Sequence, residues 1–273
     1  MAAQQKAGPM MDVLYASPAW LIAVVLLLLL VATIEGGYRC GCRTHPRASE
    51  WSGSGFATLM RTVLGALGLL LAVAFALAAA RYDRRQALVV REANTLGTAY
   101  LRSSVLEEPA RVRMQALLRA YVDARLQAEE AGRDQARVVR ATTDMEQRQG
   151  ELWAVVVTAA RHDATAVHVP WVAQALNDVS DLRAEHAAAR DHHVPETVLW
   201  LVVVVAVLTG LLSGYACGAT AHRQVLATSV LAVLVTLVVY VILDLDRPQR
   251  GLIHVQEQAL RSLRERIQHD IAW

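Results

Sequence analysis

Four runs of apolar residues, free of charge except at their ends, constrain this chain more than any other feature. They extend over about 19–36, 62–80, 197–216 and 225–243, each close to the roughly 20 residues needed to cross a hydrocarbon core at helical rise. Lipid offers the backbone no water, so each run must satisfy its own hydrogen bonds as a helix. Glu35, Arg61 and Asp244 stand only at the run ends, where water or headgroups solvate them. The first run does not read as a cleaved leader. Its n-region has only Lys6, and Glu35-Gly36-Gly37-Tyr38 is a poor peptidase site.

Short elements repeat at matching places along these runs. The first run ends on Gly37-Tyr38-Arg39-Cys40-Gly41-Cys42-Arg43-Thr44-His45, the third on Gly214-Tyr215-Ala216-Cys217-Gly218-Ala219-Thr220-Ala221-His222. Both read G-Y-x-C-G-x-x-x-H. A second echo follows runs two and four, where Asp83-Arg84-Arg85-Gln86 matches Asp246-Arg247-Pro248-Gln249. Internal repetition of this kind marks a duplicated membrane fold with related halves about a shared axis. The expected architecture is an all-α membrane protein: four transmembrane helices in two hairpins, with a helical-bundle insert between the second and third. Residues 1–80 form the first hairpin, 81–194 the bundle, 195–246 the second hairpin and 247–273 an amphipathic tail.

An even number of spans puts the insert and both termini on one face. Arg81, Arg84, Arg85, Arg91, Arg190, Arg247 and Arg250 flank the spans there, against Arg39, Arg43, Arg47 and Arg223 on the short-loop face. This bias makes the insert and termini cytoplasmic; with Lys6 the sole lysine among arginines, the composition reads as the genomic bias of a bacterium, whose inner membrane is the expected location. The net charge of +2 excludes a dedicated nucleic-acid surface, which needs a concentrated basic patch.

The insert carries helical rather than strand periodicity. No Pro or Gly interrupts the second run until Gly97, so that helix is expected to continue beyond the membrane, burying Val89, Ala93, Leu96 and Tyr100. Pro109 opens a helix with Met114, Leu117, Leu118, Tyr121, Val122 and Leu126 on one face, and Gly132 ends it. A third helix from about Asp134 to Ala160 sets Val138, Met145 and Leu152 a heptad apart. Pro170 opens a fourth with Val172, Leu176, Val179 and Leu182 inward. The tail carries Leu260, Leu263, Ile267 and Ile271 at helical spacing, to pack on this bundle or on that of a neighbouring subunit. His162, His168, His186, His192 and His193 of the insert are expected to be solvated or to cap helices rather than to ligate.

No phosphate loop, nucleophile elbow, H-E-x-x-H or kinase signature is present, so no enzyme, cofactor or resident metal is expected. Three groups remain. Gly65, Gly68, Ala72 and Ala76 make a small-residue face on the second span, suited to close helix packing or to lining a pore. Cys40, Cys42 and Cys217 share the short-loop end with His45 and His222, and read as small hydrophobes, as a disulfide from Cys217 to Cys40 or Cys42, or as soft-metal ligands, against which their spacing argues. Asp83, Asp244 and Asp246 stand beside Arg84 and Arg247 where spans two and four leave the membrane. They read either as a salt-bridge collar or as a cation site of hard oxygens.

The chain resembles the bestrophin-like domain family through Tyr82-Asp83-Arg84-Arg85, through Glu92-Ala93-Asn94-Thr95-Leu96-Gly97-Thr98-Ala99-Tyr100-Leu101-Arg102, and through Asp244-Leu245-Asp246-Arg247-Pro248-Gln249-Arg250-Gly251-Leu252-Ile253. The resemblance implies four spans, a cytosolic insert and self-association as a pentamer around a central pore, with an inorganic ion and membrane lipid as partners. An oligomeric ion channel is therefore the expected function. The alternative is a non-conducting membrane sensor or scaffold whose bundle binds a ligand or partner.

Overall fold

The computed structural model describes residues 17–44, 54–132, 134–162, 167–191, 195–220, 223–246 and 257–269. Among these there are eight helices and no strand: α1 (Ala19–Thr44), α2 (Ser54–Ser103), α3 (Ala110–Glu130), α4 (Gln135–His162), α5 (Val169–Asp191), α6 (Glu196–Ala219), α7 (Val225–Asp246) and α8 (Gln258–His269). Four of them, α1, α2, α6 and α7, are long and apolar enough to cross a membrane. The chain is an all-helical membrane protein, as the apolar runs predict. Two compact sets of helices divide it, and α2 contributes to both.

In the first set α1 lies along α6 and, over a shorter stretch, along α7. The α1–α6 contact is made by backbone. A Cβ added to Gly37 would collide with the Leu211 carbonyl oxygen and come within 2.9 Å of the Tyr215 nitrogen. A Cβ on Gly214 would collide with the Ile34 carbonyl oxygen and come within 2.9 Å of the Tyr38 nitrogen. One turn further on, Gly41 abuts the Tyr215 carbonyl and Gly218 the Tyr38 carbonyl. Every contact is matched by its mirror at the same offset, so the two helices run parallel about a local two-fold axis. Small residues permit this approach because nothing but a hydrogen projects into the seam. Thr33 and Thr209 flank it, and each returns its hydroxyl to its own helix, donating to the carbonyls of Leu30 at 2.9 Å and Val205 at 2.7 Å.

The second set is a bundle of the C-terminal part of α2 with α3, α4, α5 and α8. Its core holds Val89, Ala93, Leu96 and Tyr100 of α2, Met114, Leu118, Tyr121 and Val122 of α3, Met145 and Leu152 of α4, and Val172, Leu176 and Val179 of α5. These are the residues that the helical stripes place inward. Gly132 adopts a positive φ of 51°, the left-handed turn that ends α3 and that glycine adopts without penalty. Asp134 then caps α4, its Oδ1 accepting from the N–H groups of Ala136 and Arg137 at 3.1 Å.

The tail helix α8 closes the bundle on its own chain. Leu260, Leu263 and Ile267 are buried, and α8 runs antiparallel to α3 under a series of polar ties. Arg119 Nε donates to the Ile267 carbonyl at 2.8 Å, Arg264 pairs with Asp123 at 2.7 Å, and Arg125 reaches Glu257 at 3.7 Å.

Candidate functional site

The sequence-predicted residues occupy three places. On α2, Gly65, Gly68, Ala72 and Ala76 are all exposed, whereas Leu67, Leu71, Ala74 and Ala78 on the opposite side are buried. A Cβ on Gly65 or Gly68 would meet nothing within 4 Å. The small face is therefore not used for packing within the chain, unlike the glycines of α1 and α6. Cys40 and Cys42 are exposed and Cys217 is half-buried, and no disulfide joins them among the described residues.

At the C-terminus of α7, Asp244 and Asp246 are 3% and 1% exposed. A carboxylate buried this completely must be compensated by charge or hydrogen bonds. Asp83 and Arg84 on α2 are exposed, and Arg84 pairs with Glu185 at 3.6 Å. Its neighbour Arg85 is the buried one. Arg247 lies outside the described residues.

Sequence reasoning missed two charged clusters. At the short-loop end of the membrane set, Glu35 of α1 pairs with Arg39 at 3.1 Å and with Arg223, and the Arg223 guanidinium lies 4.9 Å from the centroid of the Tyr38 ring. Glu35, Tyr38 and Arg223 rim a recess of about 330 Å³ walled by Val31, Ile34, Cys217, Val225 and Ala232. Arg223 and Glu35 keep enough exposure for solvent screening, and such pairs contribute about 1 kcal/mol or less.

The second cluster is buried in the bundle. Arg125 of α3 donates from Nε to both carboxylate oxygens of Glu92 of α2, at 3.0 and 3.2 Å. Its Nη1 donates to Glu129 at 3.0 Å and faces Glu257 at 3.7 Å. His186 of α5, expected to be solvated or to cap a helix, lies 3.2 Å from Glu92 with its side chain 15% exposed. The side chains of Arg125, Glu92 and Glu257 are 7%, 8% and 8% exposed. Burial disfavours the guanidinium charge, but Glu92, Glu129 and Glu257 outweigh it and hold Arg125 well above its ordinary value. Burial, and then the charge of Glu92, push the Tyr121 phenol up to about 12. The signal for this cluster lies in the stripes: Glu92 stands between Val89 and Leu96, and Arg125 four residues after Tyr121. Charged residues at core positions are unexpected unless they meet.

Four apolar helices with a helical insert and a docked tail define a membrane protein of bestrophin-type fold. A tyrosine-to-alanine variant of a bacterial bestrophin homologue from Klebsiella pneumoniae superposes with a TM-score of 0.64 at 12% identity, over 90% of this chain and 97% of that one. Another structure of a bacterial bestrophin homologue from Klebsiella pneumoniae gives a TM-score of 0.59 at 14% identity, over 89% and 97%. None of the curated proteins matches the chain. The model of the bestrophin-like domain matches residues 40–260, and the chain belongs to that family.

Proposed function

We propose that the protein is the subunit of an oligomeric ion channel in a bacterial inner membrane, with the insert and termini cytoplasmic. The observation that carries this reading is the likeness to bacterial bestrophin homologues over nearly the whole of both chains. The α2 face of Gly65, Gly68, Ala72 and Ala76 supports it, being exposed and small where a pore needs room or a neighbouring subunit needs close approach. Reconstituted in liposomes, the protein is expected to pass inorganic ions as a pentamer. Ala72→Trp is expected to abolish flux; an unchanged melting temperature then marks a pore-lining face, and a lowered one a subunit contact. A monomer or dimer in mild detergent, or tight vesicles with the native protein, overturns the channel and leaves the sensor or scaffold.

Asp83, Asp244, Asp246, Arg84 and Arg247 belong in this reading to the junction where spans two and four leave the membrane. The burial of Asp244 and Asp246 supports an anchoring role for that pair. Asp246→Asn is expected to lower thermal stability by about 1–3 kcal/mol. Unchanged stability with loss of a calcium or sodium effect on flux would instead mark a cation site.

A further inference from the structure

The ties of α8 to α3 end on a charge mismatch. Glu257, immediately before α8, brings a third carboxylate to a buried guanidinium that Glu92 and Glu129 already engage. Its Oε1 is buried and makes no hydrogen bond, and Arg125 is no nearer than 3.7 Å. Glu129, which already accepts from Nη1 of the same guanidinium, sets a further carboxylate beside it. A buried carboxylate whose only nearby cation is already engaged by two others is relieved of its desolvation cost by taking up a proton. We propose that α8 is a proton-dependent latch, held on the bundle while Glu257 is protonated and loosened when that proton leaves.

The surrounding groups support the direction. On α3, Arg125 favours ionised Glu257 and Glu129 opposes it; on α8 itself, Arg261 favours ionisation. From α2 Glu92 saturates Arg125, and from α5 His186 stands against Glu92. Tyr121 stays neutral throughout the relevant range. Burial first, then Glu129, raise Glu257 from 4.5 to about 7. The docked state binds the proton more tightly than the released one. The hold of the latch is therefore complete below pH 4.5. It weakens about tenfold per pH unit up to pH 7 and levels off above it. His186 beside Glu92 is a second titratable group at the cluster, so the variant below is needed to isolate Glu257.

Hydrogen exchange of the amides of 258–269 in the full-length protein in micelles, corrected for the chemical exchange rate, reads the latch directly. From pH 5 to pH 7.5 native protection is expected to fall on the order of a hundredfold. Glu257→Gln, a neutral isostere, is expected to remain protected with little slope. Leu263→Ala is expected to lose protection at every pH while keeping the native slope. A flat native profile overturns the latch, as does a Glu257→Gln profile that parallels the native one. A Leu263→Ala profile that loses its slope overturns it too, by tracing the pH dependence to packing rather than to the carboxyl.

Discussion

Replacing Arg125 by Leu is expected to destabilise the bundle by about 3–5 kcal/mol, because it leaves Glu92 and Glu129 buried without their common cation. The guanidinium donates to Glu92 through Nε and to Glu129 through Nη1, geometry that a lysine ammonium cannot reproduce. Arg125→Lys is therefore expected to recover only part of the loss. The double variant Arg125→Leu with Glu92→Gln is expected to be more stable than Arg125→Leu alone, since it removes one of the orphaned charges. Denaturant unfolding followed by a bundle-specific probe gives all three values. Equal stability of the native protein and Arg125→Leu would mean that water reaches the cluster and that the carboxylates are not desolvated.

Gly214→Leu is expected to break the α1–α6 seam. The obstacle is the Ile34 carbonyl oxygen, part of a helix backbone that cannot rotate aside as a side chain can. The helices must therefore separate along their length. Overpacking of this kind costs about 1–3 kcal/mol where a core can adjust, and a rigid seam puts the expected loss at the upper end. Gly37→Leu should behave alike, because its collision with the Leu211 carbonyl is the symmetric counterpart. Gly36→Ala is the control. A Cβ there meets nothing, and alanine favours a helix by about 1 kcal/mol over glycine. Thermal unfolding in detergent distinguishes them, and a Gly214→Leu protein as stable as the control would refute the seam.

The helical class and the four spans were legible because both follow from patterns along the chain. Absence of charge over a membrane thickness marks α1, α2, α6 and α7, and an apolar residue every third or fourth position marks the bundle core. The seam was half legible. The repeated G-Y-x-C-G element is visible in the sequence, and its glycines are four apart, one helical turn. What the sequence does not display is that the two copies meet each other, since Gly37 and Gly214 are distant along the chain. The Arg125 cluster was hidden for a similar reason. Only Glu129 is a local neighbour; Glu92, His186 and Glu257 arrive from other helices. Arg84 and Arg85 show the limit of composition. Both flank the same span, yet Arg85 is buried and Arg84 faces Glu185 at the surface, a difference of helical phase rather than of residue type.

The symmetry of the glycine seam has a consequence for the history of the chain. Its contacts are isologous: Gly37 meets Leu211 as Gly214 meets Ile34, and Gly41 meets Tyr215 as Gly218 meets Tyr38. An interface of this kind is what two identical chains make about a two-fold axis. A shorter ancestor carrying a single copy of the G-Y-x-C-G helix would have joined its twin by the same backbone contact. Gene fusion would then have turned a homodimer interface into an internal one, free to acquire different side chains on either side.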